Sequence, residues 1–177
     1  MKYIVIYSAL LLYSIVANSQ EKALMGSSPK EILALYPEIR FSGIIDSALI
    51  LERPDTLYGI DGAWGYSFTD GKLEWIFFSK YIDEINKENF DKCLFAANEL
   101  IKEYTKLYGK PDSVLKGNSK FRDPYKDHHW GYDVIEARWS NYKGMKAKVE
   151  FTFMGGKGEY SLLLKVNYFK KDYPYYD

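Results

Sequence analysis

The chain has 177 residues, of which 47% are hydrophobic and 18% aromatic, and its 24 basic residues balance 24 acidic ones. That length is one domain's worth and buries a core without staples. Neutrality argues against a nucleic-acid binder, which needs a basic surplus to meet phosphates, and the single cysteine, Cys93, leaves no internal disulfide.

The first stretch reads as a leader rather than as part of the fold. Lys2 precedes an apolar run over 3–17, and Ala17 and Ser19 put small residues ahead of Gln20. This is the pattern of a secretory signal peptide over 1–19. The run is shorter than the ~20 residues of a membrane span, and no later run is long and apolar enough to cross. The expectation is an exported protein, secreted or periplasmic, with no membrane span after signal removal and one domain over 20–177.

Along that domain, Ser28, Pro29 and Glu31 give a capping box with proline at the first helical position, opening a short helix that Pro37 ends. Residues 41–46 read as a connector around Gly43. Three strands follow, over 47–53, 57–68 and 73–81. The first stops at Pro54. The second carries Ile60, Trp64, Tyr66 and Phe68 on one face, and the third Leu73, Trp75 and Phe77. An Asp70–Gly71 turn joins the second and third.

The stretch 86–111 predicts the central element. Phe90, Cys93, Leu94, Ala97, Leu100, Ile101, Tyr104, Leu107 and Tyr108 recur at helical spacing. Asn86 caps the start, Gly109 suits the left-handed exit, and Pro111 forbids continuation. Such a helix is about 33 Å long and needs a sheet to lie on. Cys93 falls on its dry stripe and reads as a buried, inert thiol. From 110 to 131 periodicity vanishes into a long connector. Strands then follow over 132–140, 145–153 and 159–169. Ala147, Val149, Phe151 and Phe153 share a face of one, and Tyr160, Leu162, Leu164, Val166 and Tyr168 a face of the next. An aromatic tail closes the chain.

A shift of 85 residues aligns 47–81 with the second strand region without a gap. It brings together Ile50/Ile135, Arg53/Arg138, Phe68/Phe153, Gly71/Gly156, Lys72/Lys157, Glu74/Glu159 and Lys80/Lys165, among others. This predicts internal repeats over 28–81 and 87–169, each a helix followed by three strands. The expected fold is α+β and two-layer, an antiparallel sheet of about six strands with helices on one face. An exported chain of two helix-plus-meander units resembles the small periplasmic domains of the BamE and β-lactamase-inhibitor-protein type. The duplicated sheet of the TATA-binding-protein fold is a second likeness. The 108–111 helix exit followed by the Trp139-bearing strand is similar to that of many secreted bacterial proteins. The first resemblance implies protein binding rather than catalysis, although fold alone does not fix function.

Candidate chemistry is sparse. Asp123, Asp127, His128, His129, Trp130 and Asp133 gather in and just after the connector. Imidazoles and carboxylates can ligate metals or exchange protons. Adjacent histidines in an extended segment point to opposite sides, however, and there is no third histidine, so a solvated loop is the preferred reading. No nucleophile elbow, phosphate loop or zinc-binding helix motif is present. No catalytic residue, metal ligand or cofactor is therefore assigned. The aromatic excess points elsewhere, because exposed tyrosine and tryptophan favour protein or carbohydrate contact. Tyr58, Phe78, Phe121 and the tail tyrosines read as lying off the core face. The binding candidates are Tyr125, His128, His129, Trp130, Tyr142 and Tyr173.

The reading is a non-enzymatic binding module of the periplasm or cell surface with a protein partner. One alternative is a carbohydrate or small-ligand binder using the same aromatics, and another is a hydrolase using His128 and His129.

Overall fold

The computed structural model describes residues 24–127, 131–142, 145–156 and 159–173. The leader, His128, His129 and Trp130 lie outside the described residues. The elements run in the order α1 (Pro29–Leu35), β1 (Arg40–Ile45), β2 (Ala48–Leu57), β3 (Ile60–Thr69), β4 (Lys72–Ile82), α2 (Lys87–Tyr108), β5 (Ser113–Lys116), α3 (Pro124–Asp127), β6 (Tyr132–Tyr142), β7 (Met145–Gly156) and β8 (Glu159–Lys170).

All eight strands form one antiparallel sheet, in the order β1-β2-β3-β4-β8-β7-β6-β5. The first four make a meander whose hairpins turn in two residues. Residues 46–47, 58–59 and 70–71 all have positive φ, the turn geometry that matches strand twist. After β4 the chain crosses the sheet in α2 and re-enters at the far edge as β5. It then fills inward through β6 and β7 until β8 pairs with β4, Phe78 opposite Val166 and Ser79 opposite Lys165.

This overturns the expectation of about six strands in two helix-plus-three-strand repeats with helices on one face. The sheet has eight strands, and helix is a minor component supplied mainly by α2. Two strands were hidden in the sequence. β1 lies where a connector was expected. It is an edge strand with a bulge at Ser42, between Phe41 and Gly43, so it never shows clean alternation. β5 is a four-residue strand, exposed along its length, within the patternless connector. Pro54 does not end β2 either. It pairs with Ala63, beyond the last β1–β2 pair at Glu52, so its missing N–H faces no neighbour.

A bulge also rewrites β4. Ser67 is opposite Trp75, whereas Phe68 is opposite Leu73, leaving Glu74 as the extra residue. A one-residue slip flips every following side chain. Leu73, Ile76 and Phe78 therefore point into the core and are fully buried, while Trp75 and Phe77 turn to the other face. The sequence pattern had put Leu73, Trp75 and Phe77 together and Phe78 outside.

The core lies between the sheet and α2, which packs on β3, β6, β7 and β8. Phe90, Cys93, Ala96, Ala97, Leu100 and Tyr104 of the helix are buried against Trp64, Phe151, Leu164, Val166 and Tyr168. The small Ala96 and Ala97 let the helix approach the strands closely. The Asn86 side chain accepts from the Asn89 N–H at 2.8 Å, and Gly109 takes φ 83 past the last turn. The Tyr104 and Tyr168 hydroxyls hydrogen-bond to each other between helix and sheet. α1 carries the capping box, Ser28 N donating to Glu31 Oε2 at 2.7 Å, and buries Ile32 in the same core. No helix among the described residues is long and apolar enough to cross a membrane.

Candidate binding face

Strand alternation sends a second set of side chains to the sheet face opposite α2. From β4 these are Trp75, Phe77, Ser79 and Tyr81. From β8 they are Leu163, Lys165, Asn167 and Phe169, which the β4–β8 register sets beside them, with Ser161 past its end opposite Met154 of β7. β7 contributes Lys148, Glu150, Thr152 and Met154, and β6 Glu136 and Arg138.

Rings gather at one end. Trp75 stacks on Phe169 with centroids 5.7 Å apart and planes 12° from parallel. Phe77 lies 4.4 Å from Trp75. Tyr173, just past β8, stacks on Phe169 at 5.3 Å and meets Trp75 at 6.2 Å. Phe77 can lie flat across β3 because Gly65 is beneath it: a Cβ there would stand 2.2 Å from the ring. The Lys165 ammonium sits 4.9 Å from the Trp75 centroid and 5.9 Å from that of Phe77, a cation over π-faces. Burial depresses the Lys165 pKa, with nearby Glu150 opposing the shift.

A polar line continues from the rings across four strands. Trp75 Nε1 donates to Asn167 Oδ1 at 3.1 Å, and Asn167 Nδ2 donates to Glu150 Oε1 at 3.2 Å. Lys148 Nζ bridges Glu150 at 2.6 Å and Glu136 at 3.3 Å, and Arg138 Nε donates to Glu136 at 2.6 Å. Asn167 is only 1% exposed although no helix among the described residues covers it; its neighbours shield it, and both ends of its amide are bonded. Burial acts to raise the Glu136 pKa, but Arg138 and Lys148 outweigh it and hold the carboxyl below its ordinary value. Such a line fixes the charged side chains in place.

The far end of the face is open. Tyr81 is 55% exposed and Met154 40%. Next to Met154 is a shallow depression of about 410 Å³ lined by Asp83, Met154, Gly155, Glu159, Tyr160 and Ser161.

The residues singled out from sequence do not converge. Tyr173 is on this face. Tyr125, exposed on α3, meets the Tyr160 ring edge-on at 5.2 Å, beside the depression. Tyr142 ends β6 opposite Met145, its side chain outside the described residues like those of His128, His129 and Trp130. Tyr58 packs edge-on against Phe95 of α2, and Phe121 against Phe90, so neither belongs to the face. Sequence reading missed Trp75, Phe77, Tyr81 and Lys165. Their signal was the period-two pattern of β4 and β8, obscured by the Glu74 bulge. Among the described residues no cluster of three His, Cys, Asp or Glu side chains is placed to hold a metal ion.

A scan against protein-family models gave no match to this chain, and searches of curated proteins and of solved structures gave none either.

Proposed function

We propose that the protein is an exported, non-enzymatic binding module of the periplasm or cell surface, and that the sheet face opposite α2 contacts a protein partner. One observation carries this reading. Among the described residues no helix or strand covers that face, yet it bears an ordered aromatic cluster continuous with a line of paired charges. Half-buried rings edged by the exposed Tyr81 and set next to fixed polar groups match the composition of interface centres. An uncovered sheet surface suits a protein better than a small molecule, whose sites are concave. Export rests on the leader pattern of residues 1–19.

The test is a cross-linked capture from envelope and secreted fractions. Tyr81→Ala and Tyr173→Ala abolish capture of the partner that the unaltered protein takes, while Phe95→Ala, on the solvent side of α2, leaves it intact. Retention by both face variants would defeat the proposal.

The depression favours a second reading, a glycan or other small polar ligand. It sets the Tyr160 ring beside the Asp83 and Glu159 carboxylates, with Tyr125 adjacent. A saturating ligand of that kind raises Tm, and Glu159→Gln removes the rise.

A further inference from the structure

We propose that β1 is the seam of a homodimer, pairing antiparallel with β1 of a second copy. Being terminal in the sheet, β1 presents one row of backbone N–H and C=O groups that no strand among the described residues pairs. Natural edges of this kind are blunted by lysine, proline or short length. The β5 edge follows that rule, with four residues ending at Lys116. β1 has six residues, no lysine and no proline, and its protective devices are the Ser42 bulge and the Arg40 charge at one end. It exposes Phe41 at 64%, Ile44 at 69% and Ile45 at 63%.

Three features of β1 select a second copy as the occupant. Phe41 is opposite Leu51 and Ile44 opposite Leu49 on β2, and both β2 residues pack on the core. Phe41 and Ile44 therefore share the helix side of the sheet. An antiparallel copy that sets Phe41 against Ile44 keeps like faces together and makes the aromatic–β-branched pair twice, once on each side of the axis. That axis falls between Ser42 and Gly43, and the space where a Gly43 Cβ would stand is open. The only charges from 40 to 47 are Arg40 and Asp46, at opposite ends. Antiparallel pairing brings each Arg40 beside Asp46 of the other copy, whereas parallel pairing would set like charges together. The seam is separate from the aromatic face and does not depend on its role.

Sedimentation equilibrium of the purified protein over a range of concentrations tests this. The protein forms a dimer. Ile44→Lys raises its dissociation constant about tenfold or more, with an unchanged circular dichroism spectrum because the side chain is exposed. Arg40→Asp weakens the dimer, and the exchange Arg40→Asp with Asp46→Arg restores it. A monomer at every concentration, a dimer indifferent to Ile44→Lys, or an exchange that fails to restore association would each overturn the proposal.

Discussion

At the residue scale, environment decides what each titratable group does. Cys93 is fully buried under α2, and burial pushes its thiol up to about 11. The unfolded chain ionises near the ordinary value of 9.0. Between those values the folded protein holds a proton that the unfolded chain releases, so stability falls as pH rises from 9 toward 11. Denaturant titrations across that window show the fall, and Cys93→Ala flattens it. Glu136 behaves in the opposite sense. Its lowered carboxyl contributes stability that is complete above the ordinary carboxylate value and is lost as pH falls through the folded one. Glu136→Gln reduces this acid dependence and, by leaving Lys148 and Arg138 short of a partner, costs about 1–3 kcal/mol at neutral pH. Cys93 was legible in sequence because helical spacing alone places it on the dry stripe. Glu136 was not, because its partner Lys148, which it shares with Glu150, comes from another strand whose register is set only in the fold.

At the element scale, α2 was the most legible part. Its cap, stripe and exit are all local features, and the buried residues Phe90, Cys93, Ala97, Leu100 and Tyr104 lie on the predicted face. Two substitutions separate its local and tertiary support. Asn86→Ala removes the cap and costs about 1 kcal/mol. Leu100→Ala leaves a cavity under the helix and costs about 2–5 kcal/mol. Urea midpoints measure both, and equal losses would contradict a helix held mainly by packing. The strands were less legible, for reasons specific to each. β1 buries almost nothing and is broken by a bulge, so it carries no periodic signal. β5 is too short to show one. β4 shows a good period, but Glu74 shifts it by one position, turning Trp75 and Phe77 outward. Pro54 reads as a terminator only if β2 has neighbours on both sides at that point, and it does not.

At the scale of the whole molecule, the crossover by α2 creates the proposed contact surface. The helix carries the chain from β4 to the far edge, so the return ends with β8 against β4. That pairing brings Trp75 to Phe169 and Asn167 and sets Phe77 and Lys165 on one face, residues separated in sequence by more than a domain half. No local reading of the chain contains that neighbourhood. Tyr173 was identifiable as an exposed tail aromatic, but the rings it joins were not.

The central claim is that the face opposite α2 is the contact surface. Hydroxyl-radical footprinting of the protein, free and with its captured partner, addresses it directly. The account predicts protection of Tyr81, Met154 and Tyr173 in the complex, with Phe95 on the far side of α2 unchanged. Protection of Phe95 with Tyr81, Met154 and Tyr173 still fully reactive would contradict it.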